Sequence, residues 1–182
     1  VLVVDDDPIM RLMMSSVLSE SGYRVLEAAD GAAALGLATD NNPDLLIVDL
    51  VMPGMDGFEL CRRVRADESL AEVPILVLTG LEDSSAIRRA FETGATDFVT
   101  KPLSPPLLSH RVRFMLRSVD VVHELRASET QLAEAQRLAR LGNWEWDIRS
   151  GMVFGSPEAF KVVGMKPETS VLHIDALRSL IA

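Results

Sequence analysis

Five apolar runs separated by helical segments constrain this chain more than any other feature. They are "VLVV" (Val1–Val4), "YRVLEA" (Tyr23–Ala28), "LLIVDL" (Leu45–Leu50), "ILVLT" (Ile75–Thr79) and "DFVT" (Asp97–Thr100). Near-continuous apolar runs of this length read as strands covered on both faces, the habit of parallel sheets. Between them the spacing predicts helices near Ile9–Ser21, Gly31–Asn41, Gly57–Ala66 and Ser84–Thr93, closed by stops such as Gly22, Asn41 with Asn42, or Gly94. A five-fold βα alternation with right-handed crossovers gives an α/β fold with a doubly wound parallel sheet. Such sheets place their sites at the carboxyl ends of the strands.

The first strand runs directly into Asp5, Asp6 and Asp7. Asp7 before Pro8 makes a helix N-cap with proline in the first turn, which leaves Asp5 and Asp6 without a capping role. In the third run Asp49 interrupts an apolar stretch and is followed by the turn "VMPGMDG". With strands one and three as neighbours, Asp5, Asp6 and Asp49 converge. Like charges ~4 Å apart repel by about 4 kcal/mol at an effective dielectric of 20, so the cluster calls for a cation. All-oxygen ligands that leave room for water and phosphate suit Mg²⁺. Two further strand ends add Thr79 and Lys101, a hydroxyl and an ammonium of the kind that neutralises a transferring phosphoryl group. Asp49 is the natural nucleophile, because a carboxylate can form an acyl phosphate.

Composition excludes several classes. With 18 Lys and Arg against 27 Asp and Glu, the net charge of −9 offers no basic field for a phosphate backbone, so direct nucleic-acid binding is not expected. No apolar run approaches the ~20 residues of a membrane span, and no signal segment precedes the first strand, which predicts a cytoplasmic protein without membrane contact. Cys61 alone rules out a disulfide framework and reads as a buried thiol. The chain opens inside a strand without a methionine and is read as a fragment.

Four stretches in order, "VLVVDDD", "LLIVDLVMPGMDG", "ILVLTG" and "GATDFVTKP", resemble the receiver domain of two-component response regulators. The resemblance implies a flavodoxin-like (βα)5 sheet of order 2-1-3-4-5 over residues 1–103. It also implies Asp49 as phosphoacceptor and Asp5 with Asp6 as the Mg²⁺ pair, assisted by the Val51 backbone carbonyl. Thr79 takes the place of the switch hydroxyl, Phe98 of the switch aromatic, and Lys101 of the phosphate-contacting lysine before a proline whose bond is usually cis. Gly80 departs from the small residue, often alanine, that usually follows the switch hydroxyl, which bears on phosphate lifetime. The implied partner is a sensor histidine kinase carrying a phosphohistidine. In the implied switch Thr79 is drawn to the phosphoryl group, Phe98 turns inward, and the face of the fourth helix, fifth strand and fifth helix repacks.

Beyond Ser104, Leu108, Val112, Met115, Val119 and Val122 follow a 3,4 spacing, and Leu125, Leu132, Ala135 and Ala139 resume it after a three-residue step. This predicts a helix over 104–140 that pairs with a second copy, interrupted by a stammer; the alternative is a helix docked on its own domain. "WEWDI", the turn "RSG", "MVFG" and a helix opening at Ser156 with Pro157 predict a hairpin and helix. Residues 141–182 are similar to the truncated α+β start of a PAS domain, with Trp144 and Trp146 read as packing residues. "HELR" at His123–Arg126 resembles the phosphoacceptor box of histidine kinases but lacks the following proline, so His123 is read as a solvent-facing linker residue. The order of receiver, helix and PAS resembles the front half of cyclic-di-GMP regulators carrying GGDEF and often EAL domains, with hybrid histidine kinases as the alternative. A haloacid-dehalogenase-like phosphatase also uses an Asp nucleophile with Mg²⁺. That family follows its first Asp with a second two residues on, then Gly and Thr, and "DDDP" has no such continuation.

Overall fold

The computed structural model describes residues 1–80, 84–139, 141–166 and 171–181. Two compact units divide the chain, Val1–Val121 and Val122–Ala182. The first contains β1 (Leu2–Val4), α1 (Pro8–Glu20), β2 (Leu26–Ala28), α2 (Gly31–Asn41), β3 (Leu46–Asp49), α3 (Gly57–Ala66), β4 (Ile75–Thr79), α4 (Ser84–Glu92), β5 (Asp97–Thr100) and the beginning of α5 (Pro105–Ala139). The five strands form a parallel sheet of order β2-β1-β3-β4-β5, the expected topology.

Alternate residues of each strand serve opposite faces of the sheet. Leu2, Val4, Leu46, Val48, Ile75 and Val77 pack toward Ala34 and Ala38 of α2, Leu60 and Val64 of α3 and Ala90 of α4. Val3, Ile47, Leu76, Leu78 and Val99 pack toward Met14 and Leu18 of α1 and toward α5. Both faces are therefore dry, which is why the strand runs lack polar alternation. Cys61 lies in the first of these clusters, where burial pushes its thiol up to about 11.

The caps follow local chemistry. Asp7 accepts from the Ile9 N–H at 2.8 Å with Pro8 in the first turn, Asp30 caps α2 and Asp56 caps α3. Gly22 and Gly94 take positive φ just beyond α1 and α4. Tyr23, Arg24 and Val25, expected in the second strand, lie outside β2. The Tyr23 N–H is spent on the Leu18 carbonyl in closing α1, so it is not available to the ladder. Before β4 and β5 begin, Arg65 donates to the carbonyls of Gly94 (2.9 Å), Ala71 (3.1 Å) and Val73 (2.7 Å) and ties the two approaches together.

The apolar stripe of α5 divides differently from the sequence expectation. Leu108, Val112 and Met115 are buried in the core of the first unit, so this part of the 3,4 pattern is a helix docked on its own sheet and not a self-pairing seam. Val122, Leu125 and Leu132 are exposed. His123 is exposed, as expected.

In the second unit β6 (Trp144–Asp147), β7 (Met152–Gly155) and β8 (Val171–His173) form an antiparallel sheet with β7 central, accompanied by α6 (Pro157–Val162) and α7 (Ile174–Ile181). Ser156 caps α6 by accepting from the Ala159 N–H. Val153, Phe160 and Leu172 make a small core, and the Trp144 ring meets Phe160 edge-on at 4.8 Å. Trp144 packs on Phe160 while staying 39% exposed, and Trp146 is 48% exposed. Arg140 and Ala182, the ends expected for the helix and for the last segment, lie outside the described residues.

Candidate functional site

The carboxyl ends of β1, β3, β4 and β5 bring the candidate residues to one edge of the sheet. Pairing Val4 with Val48 in the β1–β3 ladder places Asp5, one residue past β1, beside Asp49, the last residue of β3. Asp49 is in register with Leu78, so Thr79 stands one step further along, paired with Thr100 immediately before Lys101. Each position follows from strand register, which local sequence sets only through the alternation of buried side chains.

The Lys101 ammonium joins the two strand tips, donating to Asp5 Oδ2 at 3.1 Å and to Asp49 Oδ2 at 2.9 Å. Asp5 is wholly buried and Asp49 nearly so. The Asp7 N–H donates to Asp5 Oδ1 at 2.9 Å, so both Asp5 oxygens have partners. Asp6 faces solvent, and one carboxylate oxygen from each of Asp5, Asp6 and Asp49 lies within 4.8 Å of the others. Burial raises the Asp5 pKa above its ordinary value, outweighing the hydrogen bonds from Lys101 and the Asp7 N–H. Burial also disfavours the Lys101 ammonium, but its bonds to Asp49 and Asp5 prevail and hold its pKa above the usual lysine value.

One ammonium leaves three carboxylates undercompensated. The donor set is all hard oxygen, with two ligands buried and one open to water, and this fits a small divalent cation that keeps part of its hydration. Val51 lies exposed just beyond β3, with its N–H 3.5 Å from Asp49 Oδ1. Thr79 is buried at the end of β4. The Lys101–Pro102 peptide is cis, in keeping with the resemblance. Half-buried Phe98 sits lower on β5, opposite Val77, and meets Phe91 of α4 edge-on at 5.9 Å. A Cβ placed on Gly80 meets nothing within 4 Å, so packing does not demand a glycine there.

Two residues of the site escaped sequence reasoning. Gly57, the first residue of α3, lies so close to β3 that a Cβ there would overlap the Asp49 carbonyl oxygen and approach Leu50 Cα at 2.8 Å. Arg11 of α1 donates to the Asp5 backbone carbonyl at 2.6 Å. The "MDG" turn hinted at the first, since glycine after a cap accepts close backbone approach. Nothing in the sequence marks the second, because its partner is a main-chain oxygen.

Comparison with known proteins agrees with this geometry. Residues 1–113 match the response regulator receiver domain family. The probable transcriptional regulator ycf27 of Porphyridium aerugineum is 34% identical over 174 residues, 96% of this chain and 68% of the relative. The DNA-binding dual master transcriptional regulator RpaA of Synechocystis is 40% identical over 66% of this chain and 50% of its own length. Response regulator PleD of Caulobacter vibrioides is 37% identical over 71% of this chain and 28% of its own length. The chain therefore spans about two thirds, half and just over a quarter of these three relatives. Among solved structures, the Vibrio cholerae chemotaxis protein CheY4 is 36% identical with a TM-score of 0.61, covering 63% of this chain and 95% of its own. The receiver domain of a signal transduction histidine kinase from Syntrophus aciditrophicus is likewise 36% identical at a TM-score of 0.61, covering 65% of this chain and 89% of its own.

Proposed function

This chain belongs to the response regulator receiver domain family, and from that premise we propose that Asp49 accepts a phosphoryl group from the phosphohistidine of a sensor histidine kinase. The observation that carries the proposal is the bridge from Lys101 to both Asp5 and Asp49 beside exposed Asp6. Asp5, Asp6 and Asp49, with the Val51 carbonyl, are the residues that would hold Mg²⁺, which when bound neutralises charge on the equatorial phosphoryl oxygens. An Asp49 carboxylate oxygen forms the new bond to phosphorus as the bond from phosphorus to the histidine nitrogen breaks, and the product is an acyl phosphate. Lys101 releases Asp49 Oδ2 and follows the incoming charge. Thr79 offers its hydroxyl to the same oxygens, and Phe98 moves into the space so vacated.

The charge change biases a two-state face comprising α4, β5 and the beginning of α5. Exposed Val122, Leu125 and Leu132 support self-association through the later part of α5, so the dimer element of residues 104–140 is kept for that portion alone. The hairpin and Ser156-capped helix support a PAS start over residues 141–182, with GGDEF or EAL output, or a hybrid kinase, as the protein it serves. Among the described residues no helix is long and apolar enough to cross a membrane, in keeping with a cytoplasmic protein. RpaA is named as DNA-binding, which favours a second reading in which the output is a transcriptional one. Against direct DNA contact by this stretch stand seven basic and eight acidic residues from Val122 to Ala182.

Incubation with acetyl phosphate and Mg²⁺, followed by mass-spectrometric location of the label, tests the proposal. Asp49→Asn abolishes labelling; a stable acyl phosphate on another Asp in that variant refutes the assignment.

A further inference from the structure

We infer that Arg11 is a positioning residue for the acidic site, acting through the peptide that joins Asp5 to Asp6; this rests on the reading of that site as a Mg²⁺-dependent phosphoacceptor. The guanidinium Nη1 donates to the Asp5 carbonyl oxygen at 2.6 Å, and Nε lies 3.4 Å from Glu27 Oε2 on β2, with 18% of the Arg11 side chain exposed. A planar fork with donors in two directions suits this double duty, which a lysine ammonium cannot reproduce.

The position of the bond gives it its consequence. The Asp5 carboxylate already has two partners, the Asp7 N–H and Lys101. Of these, Lys101 is shared with Asp49 and is the group that an incoming phosphoryl draws away. Arg11 holds the main chain instead, and the held carbonyl belongs to the peptide from which Asp6 departs. Asp6 is exposed beside Asp5 and Asp49, and its direction toward them follows from that peptide plane. Groups that orient ligands in this way typically govern metal affinity by 10- to 100-fold when removed.

A rival role makes the opposite prediction. Were Arg11 merely a nearby positive charge, its loss would remove repulsion and tighten divalent-ion binding. Calorimetric titration of the whole chain with Mg²⁺ reads the sign directly. Arg11→Met weakens Mg²⁺ binding by about ten-fold. The Mg²⁺ concentration giving half-maximal labelling by acetyl phosphate rises by the same factor. Arg11→Lys, which keeps the charge and loses the fork, shows the same weakening and carries the test should Arg11→Met fail to fold. Unchanged or tighter Mg²⁺ binding in both variants overturns the inference, as does parent-like affinity in Arg11→Lys alone. A parent chain that binds no Mg²⁺ overturns the reading of the acidic site itself, and the inference with it.

Discussion

Replacing Gly57 by alanine tests how tightly the site is built onto the sheet. Gly57 opens α3, and its N–H donates to the Leu50 carbonyl at 3.1 Å, which draws the helix start against the tip of β3. An alanine Cβ would overlap the Asp49 carbonyl oxygen, lie 2.8 Å from Leu50 Cα and 3.0 Å from the Asp49 carbonyl carbon. All three obstacles are backbone, so no side-chain rotation relieves them, and α3 and the Asp49 peptide must separate. Overpacking of this kind costs about 1–3 kcal/mol. Alanine recovers at most about 1 kcal/mol of helix propensity over glycine, and less at a first helical position. The clash wins, with a net loss of about 1–2 kcal/mol. Urea unfolding followed by far-ultraviolet circular dichroism measures that loss, and acetyl phosphate labelling in parallel reports the displacement of Asp49 as slower phosphorylation. A variant as stable as the parent that labels at the parent rate would refute the argument that this approach is close enough to need glycine.

The metal-free site carries a pH signature. Because the folded-state pKa of Asp5 is raised, its ionisation costs stability once pH rises above the ordinary carboxylate value. Asp5→Asn therefore raises the thermal midpoint by a few degrees at neutral pH without divalent ions, and the gain shrinks as pH falls back toward 3.8. A gain independent of pH would point to another cause. Arg65→Met strands the carbonyls of Gly94, Ala71 and Val73 and costs about 2–3 kcal/mol in urea unfolding, with labelling of Asp49 retained. Ending the chain after Leu103 removes Leu108, Val112 and Met115 from the core, about 6 kcal/mol of burial, and leaves no cooperative unfolding transition. Ending it after Val121 keeps that core, and the same measurement shows one transition.

Much of this protein is written in short range. The strands β1, β3, β4 and β5 and the helices α2 and α3 fall where periodicity places them, since burial on both faces leaves a local record of apolar runs. The acidic residues were legible for the same reason: carboxylates at the ends of such runs contradict their surroundings, and parallel topology sends those ends to one edge. The stripe from Leu108 to Met115 was legible as apolar but not as to partner, because a 3,4 pattern buries equally well against a sheet or a second helix. Arg11 and Arg65 were not legible in their roles, and Gly57 only as a glycine following a cap, since each works against main-chain atoms that every residue possesses. The sequence by itself determined the order of elements and the chemistry available at the strand tips. The tertiary structure alone decided which backbone oxygens those side chains would meet, because that depends on distances between segments far apart in the chain.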